Sequence, residues 1–350
     1  MASIVHRNNR FLVVHYEYDE VSGKRKQKWE TYRTLADAKR RKAEIERRQE
    51  LGVMNVPTCK TVADLLKEYV SLYGTTTWSL SVYSSNTRLI RNYINPVIGK
   101  MDLCEISPRI LEKYYQKLLQ TPAISRITQK RGTKDTGFIQ PATVRKVHSL
   151  LRSAFNQAVK WELMEKNPAI HATVPKAVPQ KREVWDAETI FLALDVCDDA
   201  RLKLAINLSF ACSMRIGEIL GLTWDCVDFS PKSIADGTAS IMITKELQRV
   251  DKTAMKSLEQ KDVLFIFPQS SKRNTSMLVL KKPKTDSSIR KVWLPKALAY
   301  ILREWKSAQD ELRALLRDEY QDYDLVVALA NGRPCEDRII LKSFEKLREK

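Results

Sequence analysis

Arg215 stands in the stretch ACSMRIGEILGLTW, residues 211–224, among Ala, Cys, Met, Ile and Leu. The segment otherwise reads as the inside of a helical domain. Taking a permanently charged guanidinium out of water without a partner costs several kcal/mol, so it must meet a carboxylate of its own chain or an anion from outside. Glu218 follows three residues later and is within reach on a helix. That spacing serves a buried Arg–Glu pair holding two helices together, and it serves equally a cation waiting for a phosphate. Lys284 lies in the polar segment PKTDSS, residues 283–288. There an ammonium is either solvated or offered to a phosphate or a leaving oxygen. Preorganised cations around a reacting phosphate stabilise developing charge, by analogy with oxyanion holes at roughly 3–4 kcal/mol per donor.

Metal chemistry finds no support. The six cysteines are scattered without a CxxC pair and only four histidines occur, so no zinc site is legible, and no cofactor is expected. No run reaches the roughly 18 apolar residues of a membrane span and the N-terminus has no apolar signal core, which predicts a cytoplasmic protein with reduced thiols and no membrane partner.

The elements that would position these residues can be read from periodicity. FLVVHYEY, residues 11–18, alternates as a strand. A turn follows at Val21-Ser22-Gly23-Lys24, then a second basic strand with Trp29 and Tyr32, and a capping box at Thr34–Asp37 opening a helix to about Gln49. A second box, Thr61–Asp64, opens a helix with Leu65, Leu66, Tyr69 and Tyr73 at helical spacing. Three more helices follow: one from about Ser81 that Asn95-Pro96 stops, one capped by Ser107-Pro108, and one from Pro141 with Val144, Val147, Leu151, Phe155 and Ala158 inward. Residues 121–139 read as a basic loop. Tyr69, Tyr73, Tyr93, Tyr114 and Tyr115 fall at apolar spacing and are expected in the core.

Residues 172–184, ATVPKAVPQKREV, read as an exposed basic linker. Beyond it the pattern predicts helices at 187–198 and 200–212 and strands at 239–244, 277–282 and 289–295, the last two joined as a hairpin by PKTDSS. A long helix through Leu302 and Leu315, a strand-like DLVVAL at 324–329, and a final helix with Ile340, Phe344 and Leu347 complete the reading. The fold class is mainly α with small β elements. The domains are a small sheet plus helix at 1–56, a helical domain at 57–171, the linker at 172–184 and an α/β domain at 185–350.

Charge is unevenly spread over these parts. The chain carries a net +18. Residues 1–56 account for +5, residues 57–181 for +11 and the remainder for only +2. A polyanion gripped by the first half and worked on by the second half fits this distribution. Double-stranded DNA is the expected partner.

SMRIGEILGLTW resembles the Arg-containing segment of the tyrosine recombinases, G-(L/M)-R-I-x-E-(I/L)-x-(G/A)-L-x-W, with Ser213 where glycine is usual. KTDSSIRKVWLP is similar to that family's K-T-x-x-S-x-R run between strands, and order and separation agree. The resemblance, to integrases of phages and conjugative transposons, covers essentially the whole chain. It implies an arm-type DNA-binding domain at 1–56, a core-binding domain at 57–171 and a catalytic domain at 185–350. It further implies strand exchange at attachment sites through a 3′-phosphotyrosyl link, without metal or nucleotide, by tetramers on DNA. Arg215 would neutralise the pentacoordinate phosphorus, Glu218 would orient that guanidinium, and Lys284 would protonate the leaving 5′-oxygen. The family pattern continues with His-x-x-Arg and a nucleophilic Tyr. No histidine occurs after His171, so the resemblance implies a C-terminally truncated catalytic domain. The alternative is a DNA-binding protein without catalysis, acting as a remnant or competitor at attachment sites.

Overall fold

The computed structural model describes residues 2–18, 25–50, 59–124, 137–177, 184–269, 271 and 273–350. The turn expected at 21–24, most of the basic loop at 121–139 and part of the linker lie outside the described residues. The chain divides into two compact units, residues 1–74 with 86–178, and residues 75–85 with 179–350.

The first unit opens with three strands where two were expected. β1 (Ser3–Arg7), β2 (Arg10–Tyr18) and β3 (Arg25–Tyr32) form an antiparallel sheet in that order. Asn8 and Asn9 turn the chain between β1 and β2 at φ 54° and 57°, the pair of left-handed residues that a two-residue hairpin of type I′ needs and asparagine tolerates. β1 is mostly exposed, so its sequence carries no alternation to betray it. α1 (Leu35–Glu50) starts from the Thr34–Asp37 box, with the Asp37 amide donating to the Thr34 hydroxyl at 3.2 Å. It packs Ala38 and Ile45 against Val13. Buried Glu30 ties sheet to helix: Arg41 donates to both its oxygens at 3.0 and 3.2 Å, and Tyr32 donates as well. Burial pushes that carboxyl up, but these donors together bring it down to about 2.

Helices follow. α2 (Val62–Glu68) is capped by the Thr61–Asp64 box and runs into a π-helical turn at Tyr69–Gly74. After α3 (Thr75–Thr77), α4 (Leu80–Leu89) does not stop at Asn95-Pro96 as expected. It continues through a second π-helical turn, Ile90–Ile94, into α5 (Asn95–Ile98). Pro96 falls where the π-helical turn passes into α5, a local departure from α-helical bonding that admits a residue without an N–H. α6 (Pro108–Leu119) is capped by Ser107, and α7 (Pro141–Lys160) buries the expected Val144, Val147, Leu151, Phe155 and Ala158. Tyr69, Tyr93, Tyr114 and Tyr115 are buried, as apolar spacing requires, and Tyr73 is half-buried.

In the second unit α8 (Ala187–Val196), α9 (Ala200–Cys212) and the short α10 (Ile216–Leu220) lead into β4 (Val227–Asp228), α11 (Pro231–Ala235) and β5 (Ser240–Ile243). Then come β6 (Glu246–Asp251), α12 (Lys252–Ser257), β7 (Val263–Ile266), β8 (Ser276–Lys281) and β9 (Arg290–Trp293), followed by α13 (Lys296–Leu316) and α14 (Asp337–Arg348). The hairpin expected across PKTDSS does not form. β8 is the middle strand of a β6-β8-β7 sheet, so both its edges are taken, while β9 pairs with β5 in a β4-β5-β9 sheet. Residues 324–329 are not a strand either; they make isolated bridges, Thr223 with Leu325 and Ala328 with Pro334. The main core joins Leu208, Met214, Ile219, Leu220, Ile241, Leu298, Leu302, Val326 and Ile340. A smaller one sets Leu80 against Val250, Ala254, Met255 and Val279.

Candidate active site

The Arg215 region is built by the way α9 ends. Ser213 caps that helix in the left-handed conformation, φ 50° and ψ 36°. This is a conformation that favours glycine, and the resemblance places a glycine at this position. The chain then turns so that Arg215, in extended backbone, becomes the N-cap of α10. Glu218, in the first turn of α10, reaches back to accept from the Arg215 amide at 3.0 Å, the reciprocal half of a capping box. α10 lies hard against β6, because Gly217 and Gly221 share its inner face. A Cβ at Gly221 would come within 2.5 Å of the Leu247 amide nitrogen, and one at Gly217 within 3.3 Å of the Leu247 carbonyl oxygen.

The burial pattern reverses the sequence expectation. The Arg215 side chain is 70% exposed, whereas its partner Glu218 is 2% exposed. The charge withdrawn from water is the carboxylate, and it is heavily compensated. Arg215 Nη1 donates to Oε1 at 2.8 Å. Arg290, at the start of β9, donates from Nη2 to Oε2 at 2.9 Å and from Nη1 to Oε1 at 3.2 Å. Burial is the largest influence on Glu218 and raises its pKa, but the Arg290 bonds, the Arg215 amide and the Arg215 guanidinium outweigh it and hold the carboxyl below its ordinary range. Two guanidinium groups meet one carboxylate, so the cluster is net positive on its solvent side.

Lys284 is exposed on the connection between β8 and β9, in no hairpin. Its neighbour Thr285 has its hydroxyl 3.0 Å from those of Ser287 and Ser288, and the Ser288 amide donates to the Thr285 carbonyl at 2.9 Å. Among the described residues no hydrogen bond or ion pair joins Lys284 to Arg215 or Glu218. Of the three residues singled out from the sequence, Arg215 and Glu218 are in contact, and Lys284 is not bonded to either. Arg290 went unread as a member of this cluster. It closes the K-T-x-x-S-x-R run, so the signal was present, but nothing local ties it to a carboxylate in α10.

The loop after α10 is pinned by Lys245, whose ammonium donates to the Thr223 hydroxyl at 2.7 Å and to both Asp225 oxygens at 2.9 Å. Among the described residues no group of three or more His, Cys, Asp or Glu could hold a metal ion. No helix among them is long and apolar enough to cross a membrane.

Residues 61–119 match the family model described as the phage integrase N-terminal SAM-like domain. Over 269 residues, 73% of this chain and 59% of the relative, the sequence is 26% identical to a XerC-like tyrosine recombinase of Caldanaerobacter subterraneus. It is 24% identical over 232 residues, 66% of this chain and 50% of the relative, to the ICEBs1 integrase of Bacillus subtilis. The chain thus spans between 50% and 59% of the length of these two curated relatives. The fold is similar to that of the Tn1549 transposon integrase, solved in complex with a circular intermediate DNA. The TM-score is 0.59 at 14% identity, over 83% of this chain and 81% of that one.

Proposed function

We propose that this chain, which is similar to tyrosine recombinases and carries a phage integrase SAM-like segment, is the DNA-binding and phosphate-activating part of a site-specific DNA recombinase that acts at attachment sites. The observation that carries this reading is the inverted burial at the Arg215–Glu218 pair. A pair built only to hold helices together would bury both partners. Here the carboxylate is buried and the guanidinium is held, 70% exposed, on its solvent side. Such a cation is preorganised for an anion that arrives from outside. The relatives' names and the DNA in the Tn1549 integrase structure support duplex DNA as that anion's source.

In this proposal residues 1–56 form an arm-type DNA-binding domain whose sheet offers exposed Trp29 and Tyr16 on the face away from Val13 and α1. Residues 57–171 form the core-binding domain, 172–184 the linker and 185–350 the catalytic domain. During cleavage a bond forms from the nucleophile, a tyrosine oxygen in this family, to phosphorus as the bond to the 5′-oxygen breaks. Arg215 offsets charge on the non-bridging oxygens, Glu218 fixes its guanidinium from behind, and Lys284 delivers the proton to the leaving oxygen. Assembly follows as tetramers on DNA.

A second reading is DNA binding at attachment sites without cleavage. A nicked duplex carrying an attachment site separates the two readings on a denaturing gel. With these residues joined to a segment that carries the family's His-x-x-Arg run and tyrosine, a covalent protein–DNA band that Arg215→Ala abolishes supports the recombinase. Sequence-specific retardation without a covalent band supports the second reading. A chain that does not retard duplex DNA at all contradicts both.

A further inference from the structure

Arg290 lies 72 residues beyond Glu218 and holds it with two donor nitrogens, at 2.9 and 3.2 Å. The same guanidinium donates from Nη2 to the Ser213 carbonyl at 3.2 Å and from Nη1 to the Ser288 carbonyl at 3.2 Å. Its side chain is 30% exposed, against 70% for Arg215, so most of its surface is committed to these contacts. The three acceptors belong to three different pieces of the site. Ser213 is the left-handed turn that ends α9, Glu218 is the carboxylate behind Arg215, and Ser288 closes the connection that carries Lys284.

A continuous run of hydrogen bonds results. From the Lys284 side, Thr285 accepts from the Ser288 amide, Ser288 accepts from Arg290, Arg290 donates to Glu218, and Glu218 accepts from both the guanidinium and the amide of Arg215. Lysine could not replace Arg290 here, because one ammonium cannot span a carboxylate and two carbonyls in the planar fork that a guanidinium presents.

We infer that Arg290 is a positioning residue that locks Glu218, and through it Arg215, in register with the Lys284 connection, so that the two cations face one phosphate. This rests on the reading of Arg215 as a phosphate-binding residue. If Arg290 instead touched the phosphate itself, its contribution to binding would be independent of Arg215. If it only braced β9, the Arg215 amide would be indifferent to its loss.

Two measurements on the 350-residue chain decide between these. In the free protein, amide hydrogen exchange compares wild type with Arg290→Lys, which keeps the charge, and Arg290→Gln. Faster exchange is expected at 282–289 and, decisively, at the Arg215 amide, by about tenfold, the loss that goes with weakening a charge-assisted bond. Faster exchange at 282–289 with the Arg215 amide unchanged overturns the inference. If Arg290→Gln does not fold, Arg290→Lys carries the comparison. The second measurement is a double-mutant cycle for affinity to a mixed-sequence DNA duplex. Arg290→Lys should weaken binding nearly as much as Arg215→Ala, and adding it to Arg215→Ala should cost less than about twofold more, a coupling only neighbours acting through one another show. Full additivity overturns the inference. Should Arg215→Ala leave affinity unchanged, the phosphate reading fails, and the hydrogen-exchange result still decides whether Arg290 positions Arg215.

Discussion

Glu218 accepts from two guanidinium groups and one backbone amide while almost fully buried, and protonating it would forfeit those charge-assisted bonds. Its folded pKa lies below the ordinary carboxylate value of about 4.3. The stability this contributes is therefore fully present above the unfolded-state pKa, and it is lost as pH falls through the lower folded-state value. Thermal melts of wild type and Glu218→Gln should differ clearly at neutral pH and converge only in acid, once the pH has fallen below the ordinary carboxylate range. Parallel curves at all pH values would mean that the carboxylate is not held ionised. Ser213 makes the opposite kind of prediction. A non-glycine residue at φ 50° costs about 1–2 kcal/mol, so Ser213→Gly should raise the melting temperature, less the entropy glycine adds to the unfolded chain. An unchanged or lower melting temperature contradicts it. At this scale Arg215 and Glu218 were legible because a three-residue spacing is a local signal. Arg290 was not, because what joins it to Glu218 is the pairing of β9 with β5 and the packing of α10, neither of which leaves a mark near Arg290 in the sequence.

Elements, rather than side chains, set how closely these groups meet. α10 approaches β6 at the van der Waals limit because two glycines four residues apart face the strand. Gly221→Ala would force a methyl to 2.5 Å from a backbone nitrogen that has no side-chain freedom to yield. The expected loss is about 1–3 kcal/mol, with α10 displaced, so DNA affinity should fall together with stability. Tolerance of Ala at 221 by chemical denaturation would show that α10 can move without consequence. The same level explains the failed hairpin. Two strand-like runs around a polar, turn-rich segment satisfy every local criterion for one. The deciding fact is non-local: β6 and β7 occupy both edges of β8. α4 repeats the lesson, since Asn-Pro reads as a stop, whereas the π-helical turn that passes into α5 there admits Pro96. The Thr34 and Thr61 capping boxes, by contrast, are wholly local and were read correctly.

Over the whole chain, charge and chemistry separate. The first 181 residues carry nearly all of the +18, whereas the Arg215 cluster lies in the part that is nearly neutral. Division of labour follows from that distribution: most of the salt-dependent affinity for a duplex should come from the basic half, with Arg215 adding about one phosphate contact to it. Salt titration of duplex binding by the 350-residue chain, wild type against Arg215→Ala, is the measurement that tests this account most directly. A lost phosphate contact should weaken binding about tenfold at low salt and reduce the slope of log K against log salt by about 0.9, with only a modest fall in melting temperature because Arg290 and the Arg215 amide still hold Glu218. Unchanged affinity and slope, accompanied by a marked drop in melting temperature, would show instead that Arg215 serves only to hold Glu218 and the fold around it.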